Sequence, residues 1–186
     1  MSQSFWKHIV SSTSGYGSSH MDVGLNNAGI GFSGKSVAET SEEEYLRVIN
    51  INLNGVFYCM KYELQQFLQQ GGGTVINMAS VLGTVGQAGS APYVTAKHGV
   101  LGLTKSAALE FGPLHIRVVA ICPGYVDTPI IAAANEQHRQ ELRNRHALKR
   151  LATPQEIAKT FVWLASDDAS FVTGSAILVD GGYTAQ

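Results

Sequence analysis

The feature that most constrains this chain is the run Ile116-Arg117-Val118-Val119-Ala120-Ile121, almost unbroken in β-branched and apolar residues and stopped by Pro123-Gly124. A half-buried strand alternates apolar with polar, whereas a continuous run belongs to a strand covered on both faces, as in a parallel sheet between helices. Thr74 to Met78 and Ala176 to Val179 read as further strands, and Val23-Gly24-Leu25 as the end of another. Between them the period changes. Leu46, Ile49, Leu53, Val56, Phe57 and Leu64 recur at helical spacing and predict one helix from about Glu42 to Gln70. Ser41 with Glu44 forms a capping box at its start, and three glycines follow its end. Pro92 suits the first turn of a helix reaching about Phe111, and Thr153, Pro154 and Glu156 open another to about Ala165. Strands alternating with helices predict an α/β fold, and 186 residues with 45% hydrophobic content suffice for one core.

The chemistry concentrates between Thr74 and Lys97. A strand delivers Ser80 at its carboxyl end, and the next helix carries Tyr93 and Lys97 one turn apart, on one face. A free tyrosine titrates near 10. An ammonium beside it favours the phenolate, so the spacing predicts a Tyr93 pKa lowered toward neutrality and a general acid or base. Ser80 is placed to hydrogen-bond the same substrate oxygen. By itself Tyr-x-x-x-Lys is a weak signal that an ordinary exposed helix also yields.

Its surroundings are specific. Asn26-Asn27-Ala28-Gly29, Asn52-Leu53-Asn54-Gly55, the Ser80/Tyr93/Lys97 set, Pro123-Gly124-Tyr125-Val126-Asp127-Thr128 and Val179-Asp180-Gly181-Gly182 occur in that order. Together they resemble the classical short-chain dehydrogenase/reductase family over about residues 22 to 186. The resemblance implies a Rossmann-like, doubly wound parallel sheet and hydride transfer between NAD or NADP and an alcohol or carbonyl substrate. It implies a catalytic tetrad in which Tyr93 moves the proton, Ser80 polarises the oxygen, Lys97 lowers the Tyr93 pKa and binds the nicotinamide ribose, and Asn52 anchors a water relay. Cofactor contacts are expected from Asn27, Ala28, Gly29, Tyr93, Lys97, Pro123, Gly124, Val126 and Thr128. A homodimer through the helices bearing Asn52 and Lys97, or a homotetramer through the final helix and strand, is expected.

The amino-terminal part departs from the family pattern. Residues 1–21 are rich in Ser and Gly and read as irregular. Gly15-Tyr16-Gly17 lacks the preceding strand, the third glycine and the following helix that a phosphate-binding loop requires. With 25 residues before Asn26, the sheet is expected to be incomplete at that edge. A second reading follows, in which the chain is a non-catalytic remnant acting as an oligomerisation partner. Ile130 to Arg150 reads as a lid whose basic residues, Arg139, Arg143, Arg145, Lys149 and Arg150, are either solvated or face an anionic substrate tail. A net charge of -1 argues against a nucleic-acid partner. The histidines lack metal-ligand spacing, Cys59 and Cys122 read as reduced core residues, and no apolar run suits a bilayer; a cytoplasmic protein is expected.

Overall fold

A computed structural model describes residues 20–32, 34–132 and 135–185. The phosphate-loop question at Gly15-Tyr16-Gly17, and nearly all of the amino-terminal segment, lie outside the described residues.

Four strands, β1 (Val23–Asn26), β2 (Gly73–Met78), β3 (Ile116–Pro123) and β4 (Ala176–Val179), form one parallel sheet in chain order. Val75 stands opposite Val118, Asn26 opposite Asn77, and Ile121 opposite Ile177. Among the described residues β1 has a neighbour on one side only. Helix α1 (Glu42–Ile49) opens with both halves of the Ser41/Glu44 capping box in place. It leads into α2 (Gly55–Gln70), and α3 (Ala91–Phe111) follows β2. The lid comprises α4 (Pro129–Ala132) and α5 (Glu136–Asn144), and α6 (Pro154–Ala165) precedes β4. Thr153 and Glu156 form the second complete capping box, with Pro154 in the first turn of α6.

Because β3 is apolar apart from Arg117, it supplies two cores. Val118, Ala120 and Cys122 meet Val56, Met60 and Leu64 of α2 and Val100, Ala107 and Ala108 of α3. Val119 and Ile121 turn the other way, toward Ile157 and Leu164 of α6. At about 25 cal/mol per Å² of apolar surface, each fully buried aliphatic side chain contributes roughly 1.5–3 kcal/mol. Two crossovers pass over one face and the third over the other while the strand order keeps advancing, so the third has the opposite hand from the first two. Arg117 stabilises that unusual connection: its guanidinium donates to the carbonyls of Leu164, Ser166 and Val172, two of them at the carboxyl end of α6.

One expectation needs correction. The segment from Glu42 to Gln70 is not uniformly α-helical, since Asn50–Asn54 forms a π-helical turn in which the Gly55 amide bonds back to the Asn50 carbonyl. The extra residue per turn rotates Asn52 inward, where it is wholly buried.

Candidate active site

The polar residues gather at the carboxyl edge of the sheet, where an open parallel sheet presents its loops to a ligand. Ser80 lies two residues beyond the end of β2 and caps a short 3-10 turn, Val81–Gly83, by accepting from the Leu82 amide at 3.2 Å. From there the Ser80 hydroxyl is near enough to the Tyr93 phenol to lower its pKa. Lys97 lies one turn farther along α3, only 4% exposed, and donates to the Met78 carbonyl at 2.7 Å. Its Nζ stands 5.6 Å from the centre of the Tyr93 ring.

Asn52 is fixed by a reciprocal pair of hydrogen bonds. Its Oδ1 accepts from the Ile30 amide and its Nδ2 donates to the Ile30 carbonyl, both at 2.8 Å. The π-helical turn thereby pins the loop after β1 to the helix below it. Asn27, Ala28 and Gly29 form the exposed start of that loop. Gly29 is small for a reason: a Cβ there would stand 3.2 Å from Asn52 Oδ1 and 3.9 Å from Lys97 Nζ, filling the approach to both.

The electrostatics differ in direction from the expectation for Tyr93. Burial raises its pKa above the usual phenol value and outweighs the Ser80 hydrogen bond, which lowers it; the Tyr125 phenol raises it further. The Lys97 ammonium is drawn to the Met78 carbonyl rather than to the phenol, and burial brings Lys97 itself down to about 8. The i, i+4 spacing fixes that the two groups are near, but not which neighbour the ammonium chooses.

The turn after β3 forms the opposite wall. Gly124, Val126 and Thr128 belong to it, and Val126 pairs with Ala152 in a short parallel bridge, where the Asp127 amide donates to the Ala152 carbonyl at 2.8 Å. Tyr125 donates its hydroxyl to Gln87 Oε1 at 2.7 Å, and Arg145 from the lid donates to the same oxygen at 3.1 Å. Gln87 Nε2 in turn donates to Ser90, buried at the start of α3. Nothing in the sequence singles out Gln87, and Arg145 stands there only as one of a group of lid cations. Their partners are 38 and 58 residues away, with no local period to reveal them. Of the other lid cations, Arg143 pairs with Glu136 and Arg150 with Glu156, Lys149 donates to the Asn144 carbonyl, and Arg139 pairs with Asp127 of the turn after β3. Neither of two open cavities, about 550 Å³ beside α1 and the start of α3 and about 260 Å³ behind the β3 turn, is lined by Ser80, Tyr93 or Lys97.

A family model described as enoyl-(acyl carrier protein) reductase matches residues 2–184. A protein named short chain dehydrogenase/reductase astE, from Aspergillus oryzae, is 39% identical over 97% of this chain and 70% of its own length. The chain belongs to the short-chain dehydrogenase/reductase family. Within it, cyclohexanol dehydrogenase of Acinetobacter sp. is 47% identical over 89% of this chain, and cis-4-hydroxycyclohexanecarboxylate dehydrogenase of Sinomonas cyclohexanicum is 44% identical over 89%. The chain spans 65% and 66% of the lengths of these two relatives. A solved structure described as ElxO with NADP bound superposes with a TM-score of 0.90 at 33% identity, covering 97% of this chain and 73% of the other. The family and the Rossmann-like fold agree with the reading of the sequence. Among the described residues no helix is long and apolar enough to cross a membrane, and no group of three or more His, Cys, Asp or Glu side chains is arranged to hold a metal ion.

Proposed function

We propose that this protein transfers hydride between a nicotinamide cofactor, NAD or NADP, and a secondary alcohol or its ketone. The observation that carries the reading is the meeting of the Ser80 hydroxyl, the Tyr93 phenol and the buried Lys97 ammonium at the carboxyl edge of the sheet, with Asn52 locked behind them. The residues present suit the nicotinamide end of the cofactor. Lys97 has three donors and spends one on Met78, and the missing side chain of Gly29 leaves its Nζ approachable. Lys97, Tyr93, the Asn27-Ala28-Gly29 loop and the Pro123, Gly124, Val126 and Thr128 turn are the groups that would hold that end.

The cofactor supplies or accepts the hydride when bound. Tyr93 passes a proton to or from the substrate oxygen, and Ser80 donates a hydrogen bond to that oxygen as charge develops on it. The raised pKa of Tyr93 describes the protein alone. It keeps the phenol protonated and ready to donate in the direction of carbonyl reduction. A substrate bearing a second polar substituent meets Gln87, Tyr125 and Arg145. The relatives named for cyclohexanol and for a hydroxycyclohexanecarboxylate favour a six-membered ring alcohol.

Assembly belongs to the same proposal. Leu46, Phe57, Tyr58 and Leu109 leave an exposed apolar face on the helices around Asn52 and Lys97, which suits a homodimer; Trp163, Phe171 and Leu178 offer a second face for a homotetramer. A cytoplasmic location is part of the reading. The test is fluorescence titration with NADH and NADPH, followed by oxidation assays on cyclohexanol and ring diols. Cofactor binding with turnover supports the enzyme; an oligomer that binds neither nucleotide supports the remnant reading.

A further inference from the structure

His146 is 2% exposed, yet it belongs to neither the tetrad nor the motifs of the sequence. Its ring faces different partners at its two nitrogens. Nδ1 lies 2.8 Å from the Leu142 carbonyl, which only accepts, and Nε2 lies 3.1 Å from the Tyr125 amide, which only donates. The ring is therefore the neutral tautomer with its proton on Nδ1. Three segments converge on it. Tyr125 and Tyr183 pack against the ring with centroids 6.0 and 5.5 Å away. The Leu148 amide donates to the Gly181 carbonyl at 3.1 Å, bringing the closing Asp-Gly-Gly turn alongside. A Cβ on Gly124 would stand 2.6 Å from Nε2, so the turn after β3 sits directly against the imidazole.

We infer that His146 is a positioning residue: its imidazole fixes the Gly124-Tyr125 backbone on which the nicotinamide end rests, and through that backbone aims the Tyr125 hydroxyl at Gln87. The cofactor half of this inference rests on the function proposed above. The physical basis is a single amide: Gly124 and Asp127 donate to the backbone carbonyls of Val179 and Ala152, whereas the Tyr125 N-H between them donates to the imidazole. Without Nε2 the Tyr125 N-H has no acceptor in place, and the turn opens to water to find one. One tie between the lid and the turn is then lost, while the contacts of Arg139 with Asp127 and of Leu148 with Gly181 remain.

Two substitutions separate positioning from packing. His146→Phe keeps the aromatic ring and loses the acceptor, whereas His146→Gln loses the ring and offers an oxygen to the Tyr125 amide. In residue-resolved hydrogen exchange, His146→Phe is expected to speed exchange at the Tyr125 amide by about tenfold or more, with β3 amides unchanged, and His146→Gln to restore most of the protection. Titration of NADH or NADPH is expected to follow the same ranking, with affinity weakened about tenfold in His146→Phe. If His146→Gln is as exchange-prone as His146→Phe or more so, the role is packing and the inference fails. Nitrogen-15 shifts of the wild-type imidazole give an independent reading, since a proton on Nε2 overturns it even if the variants do not fold. A wild-type chain that binds no nucleotide would sink the enzymatic reading while the exchange ranking and the tautomer still decide the role of His146.

Discussion

Lys97→Met should stabilise the protein at neutral pH, by an amount that disappears in alkali. Burial lowers the Lys97 pKa from 10.5 to about 8. Between those values the unfolded chain binds a proton that the folded chain does not, so stability rises with pH across the window; it is lowest below about 8, where the buried ammonium is charged. At 1.36 kcal/mol per pKa unit the charge costs about 3 kcal/mol at pH 7. Methionine avoids that cost, but the Met78 carbonyl loses its donor, a loss of about 1 kcal/mol. A net gain of about 2 kcal/mol at pH 7 is expected, turning into a loss of about 1 kcal/mol above pH 10.5. Urea unfolding of both proteins at pH 7, 8, 9 and 10, without nucleotide, measures the difference. Taking the difference also removes the tyrosines and Cys59, whose raised pKa values make stability fall with rising pH in both proteins alike, whereas Cys122 does not cancel, since the Lys97 charge lowers its thiol. A stability difference that does not change over this range would refute the argument that burial is what lowers Lys97.

Tyr93→Phe removes the proton carrier and should lower turnover by roughly two to four orders of magnitude while leaving the unfolding midpoint nearly unchanged; near-normal oxidation of cyclohexanol would exclude the assigned role. Asn52→Ala deletes both hydrogen bonds to Ile30 and should cost about 2 kcal/mol in urea unfolding, with faster exchange at the Ile30 amide. Small-angle scattering over a range of concentrations should give at least a dimer mass, and a constant monomer mass would show that the apolar faces around Leu46, Tyr58 and Leu109 stay bare.

Much of the frame was legible because it rests on local rules. Both capping boxes, the Pro154 helix start and the two-sided burial of β3 follow from residue types a few positions apart. The candidate tetrad rests on motif spacing, and the structure brings Ser80, Tyr93 and Lys97 to one edge. The π-helical turn was not legible, since shifting a hydrogen bond by one residue at Asn50–Asn54 leaves the apolar period on either side intact. Nor was the direction of the Tyr93 shift, which depends on burial and on the pull of the Met78 carbonyl on Lys97. His146 and Gln87 act across gaps of 21 and 38 residues, where only the folded chain makes them neighbours.

Beneath the sheet, Asn26 Nδ2 donates to Asn77 Oδ1 at 2.9 Å and to Glu63 at 3.0 Å, and Asn77 Nδ2 donates to Thr104 at 3.0 Å. These buried amides solve a problem that apolar strands create. Sliding one such strand by two residues returns the same faces to the same cores, so greasy contacts alone distinguish poorly between alignments. With Asn26 opposite Asn77, that slide strands both amides in the interior at about 1–3 kcal/mol each. Set against a total stability of about 5–15 kcal/mol, this is enough to leave one alignment populated. The loop carrying Asn27 to Gly29 then arrives at Asn52 and Lys97 rather than two residues, or about 7 Å, short of them.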